Sequence, residues 1–287
     1  MVLDPLDEVC LNKLKDMANV VYKPQDSQAI EKADVLIVRS TKVGEDTIGR
    51  AKNLKVIARA GVGTDNIDLK ACEKKKIKVI NTPDAPTTSV AELTLGLIIC
   101  MLRKIIIAHN SMKDKLWKKN ELLGNELAEK TLGVIGLGRI GTAVARLAKS
   151  FNMNVIAYDP NIKNSEHANL VTFDNLLKNS DIITIHVPLT IETEKMIDGD
   201  AIKKMKDGVF LLNLSRGKVV DEDALYQALK TKKIAMAALD VYEKEPYNGK
   251  LTDLDNVILT PHIGSNTVEA QRRIGEELVE RLKEVFI

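Results

Sequence analysis

A glycine-rich turn in the middle of the chain limits the available folds more than any other feature. Thr131-Leu-Gly-Val-Ile-Gly-Leu-Gly-Arg-Ile-Gly141 is an apolar strand that runs into the spacing Gly136-x-Gly138-x-x-Gly141. Gly136 permits a tight turn, Gly138 lets the backbone approach a pyrophosphate, and Gly141 lets the next helix lie close on the sheet. A helix expected over 139–150 would point its positive N-terminus at the phosphates. The next expected strand, 154–158, ends in Asp159. A carboxylate there can accept both ribose hydroxyls of NAD and repels the extra phosphate of NADP. Strand, glycines, helix and acid together point to a bound dinucleotide, NAD in preference to NADP.

The turn sits near residue 136 of 287, so a whole α/β unit precedes it. Short β-branched runs alternate with helical patterns along the chain, the mark of parallel sheets covered by helices. Strands are expected at 35–38, 55–58 and 78–80. A long helix over 87–110 follows, opened by Pro86 and Thr/Ser caps. Further strands are expected at 131–135, 154–158, 181–185, 209–212, 235–239 and 257–260, and a charged amphipathic helix from Val268 onward. The predicted fold is α/β, with two doubly wound parallel-sheet domains, a Rossmann nucleotide domain inserted into a flavodoxin-like substrate domain. Residues 1–82 would begin the substrate domain, 83–265 form the NAD-binding domain, and 266–287 return as a C-terminal helix. Crossings near 81–86 and 264–267 would leave an active-site cleft between the domains.

Aromatic residues are only 3% of the chain while hydrophobic residues are 45%, so the cores must be aliphatic. A net charge of +2 without arginine–aromatic interleaving argues against a nucleic-acid partner. The runs Lys74-Lys75-Lys76 and Lys118-Lys119 are expected on solvated helix ends or loops. Cys10, Cys72 and Cys100 are widely spaced, which fits reduced thiols and neither a disulfide framework nor a metal site. The start carries no apolar signal region. The longest apolar run, 93–102, is about half a membrane span and reads as a buried helix closed by Arg103-Lys104. The expectation is a soluble, cytoplasmic protein with no membrane partner.

Nicotinamide chemistry on a hydroxy or keto acid needs three services. The substrate carboxylate must be held, the C2 oxygen polarised, and its proton exchanged. Arg216, in Asn213-Leu-Ser-Arg-Gly217, follows a buried strand at the end where α/β sheets bind ligands, and can fork onto a carboxylate. His262, in Thr260-Pro-His-Ile-Gly264, follows the last strand and suits proton exchange near neutrality. Glu245, in Asp240-Val-Tyr-Glu-Lys-Glu-Pro246, follows the strand between them, where it would fix the imidazole tautomer and favour its protonated form. Taken singly, each has an ordinary alternative: a surface ion pair, an exposed turn acid, a hydrogen-bonded loop histidine. The combination at successive strand ends is what carries weight. A second glycine pair, in Arg59-Ala-Gly-Val-Gly-Thr-Asp65, ends a strand of the first domain. It can be read as a backbone cradle for a carboxylate or as a plain strand-to-helix turn.

With these residues placed, the chain resembles the D-isomer-specific 2-hydroxy acid dehydrogenases, in particular the phosphoglycerate branch. The resemblance rests on Val38-Arg-Ser-Thr-Lys-Val43, Arg59-Ala-Gly-Val-Gly-Thr-Asp-Asn-Ile-Asp68, Val90-Ala-Glu-Leu-Thr94, the turn at 136–141, Asn213-Leu-Ser-Arg-Gly217 and Pro261-His-Ile-Gly264. It implies a catalytic triad of Arg216, Glu245 and His262. It implies cofactor contacts at Arg139, Ile140, Asp159, Val187, Leu214, Ser215, Asp240, Gly264 and Ser265, and a substrate carboxylate near Val62 and Gly63. Arg39 and Arg59 match positions that face a substrate phosphate, so oxidation of D-3-phosphoglycerate to 3-phosphohydroxypyruvate is the expected activity. A glyoxylate/hydroxypyruvate or broad 2-keto-acid reductase is the alternative. An NAD(H)-sensing corepressor is a third reading, opposed by the intact triad. The resemblance also implies a homodimer through the nucleotide domains, with Trp117 in the contact region. Two departures stand out. The chain stops after its C-terminal helix, so a serine-sensing regulatory domain is not expected, and only Val2-Leu3 precede Asp4-Pro5, so that edge of the first domain is expected to be trimmed or weakened. In addition, Val62 replaces a threonine found in some relatives, removing a possible hydroxyl contact.

Overall fold

A computed structural model describes residues 1–24 and 27–286. The chain divides into two compact units, Met1–Thr87 with Ser265–Ile287, and Thr88–Gly264.

In the first unit, β1 (Val35–Val38), β2 (Val56–Arg59) and β3 (Lys78–Asn81) form a parallel sheet in the order β1-β2-β3. Val2 extends it with single parallel bridges to Ile37 on one side and Tyr22 on the other. In chain order the rungs therefore lie 2-1-3-4-5, the flavodoxin-like arrangement. The first rung is trimmed to one bridged residue, as expected, but it does not lie at the edge. Val2 is an inner rung, 1% exposed, with its amide donating to the Val21 carbonyl at 2.9 Å and the Leu3 amide to Ile37 at 3.0 Å.

Helix α1 (Glu8–Met17) is capped by the Asp7 carboxylate, which accepts from the Val9 and Cys10 amides. It packs on the last helix, α10 (Val268–Phe286), whose apolar stripe is Ala270, Ile274, Leu278, Val279 and Leu282. Gly275 is needed at that crossing, because a Cβ there would lie 2.5 Å from the Cys10 Cβ. Burial pushes the Cys10 thiol up to about 11, so it is an inert packing group. Helices α2 (Glu45–Arg50) and α3 (Leu69–Lys74) follow β1 and β2. The Lys75 ammonium donates to the Ile48 and Gly49 carbonyls at 2.7 and 2.9 Å, so the middle of that lysine run ties α3 to α2.

The second unit holds seven strands, all paired in parallel, in the order β10-β9-β8-β7-β4-β5-β6. They are β4 (Thr131–Ile135), β5 (Asn154–Tyr158), β6 (Asn169–Leu170), β7 (Ile182–Ile185), β8 (Val209–Asn213), β9 (Ile234–Leu239) and β10 (Val257–Leu259). Alternate residues feed separate apolar clusters: Val134 and Ile182 join one, Ile135 and Ile183 the other. The order reverses at β4, the switch point where ligands bind in such sheets. Helices α6 (Arg139–Ser150), α7 (Phe173–Asn179), α8 (Gly199–Lys204) and α9 (Glu222–Lys230) connect successive strands.

The single helix expected over 87–110 is two helices, α4 (Thr87–Leu102) and α5 (Ile105–Lys113). Lys104 takes a left-handed φ of 50°, and the Leu102 carbonyl turns to accept from the Asn125 amide at 2.9 Å. Gly124 makes that approach possible, since a Cβ would lie 2.6 Å from the same oxygen. A contact more than twenty residues downstream, invisible to helical periodicity, breaks the helix. Among the described residues no helix is long and apolar enough to cross a membrane.

Candidate active site

The glycine turn after β4 has the shape its spacing suggests. Gly136 holds φ 91°, and a Cβ there would lie 2.7 Å from the His186 carbonyl at the end of β7. A Cβ on Gly141 would lie 1.9 Å from the Gly136 carbonyl, so α6 rests directly on the turn. A Cβ on Gly138 would meet nothing within 4 Å, and no side chain caps α6. That clearance before an uncapped helix N-terminus fits a pyrophosphate. Asp159, at the end of β5, accepts from the Leu137 amide at 2.8 Å and the Asn161 amide at 2.9 Å, and so fixes the turn. Val187 follows β7. Its neighbour His186 places Nε2 2.9 Å from the Thr184 hydroxyl, and burial lowers its pKa to about 3, so it is neutral.

At the far end of the same sheet the structure brings together the three groups expected to act on substrate. His262 Nδ1 lies 2.9 Å from Glu245 Oε2, with the two side chains 46% and 39% exposed. The other carboxylate oxygen accepts from the Tyr242 amide at 3.2 Å. Burial pushes the Glu245 carboxyl up, but the hydrogen bonds from His262 and Tyr242 and the charges of His262 and Arg216 outweigh it, so the net shift is down. Arg216 is half-buried after β8, its Nη1 donating to the Ser215 carbonyl at 2.7 Å.

Three residues without an assigned catalytic role hold this arrangement. Asn213 is 1% exposed; its Oδ1 accepts from the Ser215 amide and hydroxyl at 3.0 and 2.8 Å, and its Nδ2 donates to the Arg216 carbonyl at 2.9 Å. The turn carrying Leu214, Ser215 and Arg216 is thus pinned from within. Gly217 lies flat on the next loop, where a Cβ would come 1.9 Å from the Tyr242 carbonyl. Asp240, expected at the cofactor, is 1% exposed, and its carboxylate accepts from the Thr260 hydroxyl at 2.6 Å and from the Ile263 and Gly264 amides at 2.8 Å. It holds the turn on which His262 sits with φ 54°. The Ser265 carbonyl accepts from Gln271 at 2.7 Å within the first unit.

In the first unit, Val38 and Arg59 are register partners, so Arg39 and Arg59 leave neighbouring strands at their C-terminal ends. Both are half-buried. Arg59 folds over Gly61, where φ is 149° and a Cβ would lie 1.7 Å from the guanidinium. The Val62 carbonyl accepts from the Asn81 side chain, and Gly63 continues the same turn. Asp4, which sequence reasoning passes over, accepts from the amides of Arg39, Ser40 and Thr41 at 2.6, 2.9 and 2.9 Å and from the Thr41 hydroxyl at 2.8 Å. An acid before Pro5 at the end of the first rung is the signal that could have located it. Burial weakens the Arg39 guanidinium's hold on its proton, and the charge of Asp4 opposes this.

The family model described as D-isomer specific 2-hydroxyacid dehydrogenase, NAD binding domain, matches residues 95–264. The chain is 47% identical to hydroxypyruvate reductase from Thermotoga maritima, over 98% of this chain and 96% of that protein. It is also 47% identical to D-3-phosphoglycerate dehydrogenase from Methanocaldococcus jannaschii, over 100% of this chain but only 57% of the relative. D-lactate dehydrogenase from Aquifex aeolicus, solved with NAD and lactic acid, superposes with a TM-score of 0.89 at 35% identity, covering 99% of this chain and 94% of that one. With relatives at 47% identity along at least 98% of its length, the chain belongs to the D-isomer-specific 2-hydroxyacid dehydrogenase family, and residues 95–264 are that family's NAD-binding domain.

Proposed function

We propose that the chain catalyses NAD-dependent hydride transfer at C2 between D-3-phosphoglycerate and 3-phosphohydroxypyruvate, the entry to serine synthesis, in the cytoplasm. The observation that carries the substrate is the pair Arg39 and Arg59 at neighbouring strand ends, since two guanidiniums suit a phosphate dianion. NAD(H), when bound, supplies or accepts the hydride. In the reducing direction Arg216 forks onto the substrate carboxylate and draws charge toward the C2 oxygen. His262, with Nδ1 committed to Glu245, gives its proton from Nε2 to that oxygen. Glu245 holds the ring's tautomer and stabilises the imidazolium. The Val62–Gly63 backbone receives the carboxylate. Arg139, Ile140, Asp159, Val187, Leu214, Ser215, Asp240, Gly264 and Ser265 line the cofactor.

A second reading, reduction of hydroxypyruvate, glyoxylate or a broader set of 2-keto acids, is favoured by the likeness to the Thermotoga maritima enzyme. A panel of phosphohydroxypyruvate, hydroxypyruvate and 2-oxoglutarate with NADH separates them. Under the first reading Arg39→Ala and Arg59→Ala each lower kcat/KM for phosphohydroxypyruvate by about 10- to 100-fold, and leave hydroxypyruvate nearly unchanged. Intact phosphohydroxypyruvate turnover in both variants would hand the assignment to the second.

The homodimer belongs to the same proposal. Ile105, Ile106, Met112, Leu116, Trp117 and Leu123 are large apolar side chains left exposed along α5 and beyond it, Trp117 at 78% and Leu123 at 84%. A second copy of this chain covers them. Sedimentation should give a dimer for the parent and a monomer for Trp117→Glu, and an unchanged mass in the variant refutes this interface.

A further inference from the structure

We propose that Tyr242 positions the Glu245–His262 pair, its hydroxyl clamping the one carbonyl that also receives the His262 amide. The inference rests on the reading of Glu245 and His262 as the proton-handling pair. Tyr242 is 8% exposed, its ring stacked on Tyr247 with centroids 4.3 Å apart and planes at 17°. The hydroxyl lies 2.9 Å from the Thr260 carbonyl and 3.2 Å from the Leu239 carbonyl, so a single O–H spans the ends of β9 and β10. The His262 amide donates to that same Thr260 carbonyl at 3.0 Å.

This shared acceptor matters because His262 holds φ 54°, a left-handed conformation that a residue with a Cβ keeps only when its surroundings impose it. At its other end Tyr242 donates its own amide to Glu245 Oε1 at 3.2 Å. One residue therefore touches the supports of both partners in the 2.9 Å contact between imidazole and carboxylate. Its carbonyl is also the surface on which Gly217, next to Arg216, rests. Three loops, each carrying one member of the triad, meet at Tyr242. The hydroxyl is no proton source: burial, then the charges of Asp240 and Glu245, push its ionisation far up, so it remains a donor at any working pH.

Tyr242→Phe keeps the ring, the stack and both backbone contacts, and removes only the clamp. Its control is Tyr247→Phe, which removes the other hydroxyl of the stack, one that accepts from the Leu251 amide and does not touch Thr260. Keto-acid reduction with NADH is followed over roughly pH 5 to 10. Tyr242→Phe is expected to lower kcat about tenfold and leave KM for NADH within about a factor of two. It should also move the alkaline limb of the profile to lower pH, because a loosened carboxylate holds the imidazole proton less firmly. Tyr247→Phe should leave the limb in place. A wild-type profile in Tyr242→Phe, or an equal displacement in Tyr247→Phe, overturns the inference. His262→Ala tells the two layers apart. If it turns over like wild type, the reading of the pair is lost and the inference with it. If it is inactive while Tyr242→Phe matches wild type, only the role of Tyr242 is lost.

Discussion

Buried side chains aim the candidate reactive groups of the unit Thr88–Gly264, whereas backbone amides and glycine clearance aim those of the unit built from Met1–Thr87 and Ser265–Ile287. Asn213, Asp240 and Tyr242 are each less than 10% exposed, and each makes two or more hydrogen bonds into the loops that bear Arg216, Glu245 and His262. Arg39 has instead a partly exposed loop wrapped around one carboxylate, and Arg59 lies along a glycine. The difference follows from sheet size. A seven-stranded sheet has inner strand ends deep enough to bury a polar network, and such a network specifies one geometry when fully satisfied. A sheet whose first two rungs are single bridges has no such depth. Proton transfer tolerates little misplacement, and charge pairing with a phosphate tolerates more, so under the proposed function each task would sit on a scaffold of suited stiffness.

Adding one methyl group to each unit is the sharpest way to break this comparison. In Gly217→Ala the new Cβ would sit 1.8 Å from the Tyr242 carbonyl carbon, and both sides of the clash are backbone. The loops of Arg216 and Glu245 must part, so kcat/KM should fall by about 100-fold or more, with about 2–3 kcal/mol lost from stability. In Gly61→Ala the clash is with the tip of the Arg59 side chain, which can swing away, although the φ of 149° remains unfavourable for alanine. The expected loss is about 1–2 kcal/mol, with a few-fold rise in KM for a phosphorylated substrate and kcat retained. Kinetics and urea unfolding on both variants check this. Equal kinetic damage in the two would show that the smaller unit is as stiff as the larger.

How much of this can be read in advance depends on where the causes lie along the chain. Strand β7 is legible because Ile182–Ile185 is wholly β-branched, three isoleucines and one threonine, and shows no polar alternation, as suits a strand buried on both faces. The two-residue β6 and the rungs at Val2 and Tyr22 are not, because one or two residues carry no period. The break between α4 and α5 is equally hidden, since Asn125 supplies its partner. The same division holds for the site. Arg216, Glu245 and His262 stand out because each follows a recognisable strand in a short motif. Asn213 and Gly217 lie inside a motif that draws attention to Arg216, and their work becomes visible only when Ser215 and Tyr242 are placed against them. Asp4 acts on residues 35 to 37 positions away, a separation at which sequence spacing says nothing about contact.

The mildest of these tests concerns that aspartate. Burial pushes the Asp4 carboxyl up, but the amides of Arg39, Thr41 and Ser40 and the Thr41 hydroxyl outweigh burial and bring it below its ordinary value. A carboxyl depressed in the folded state binds its proton more readily when unfolded. Its stabilising effect is therefore present above the unfolded value, near 3.9, and is lost as pH falls through the lower folded value. Asp4→Asn removes the charge but not the shape. At neutral pH the variant should be about 1 kcal/mol less stable than the parent, a figure reduced for the loop's partial exposure. The gap should narrow below about pH 4, as the parent's carboxyl takes up a proton first in the unfolded chain and then, at lower pH, in the folded one. A gap that persists unchanged at about pH 2 would mean that the contact is held by shape and not by charge. The smaller unit would then resemble the larger one in the respect that separates them here.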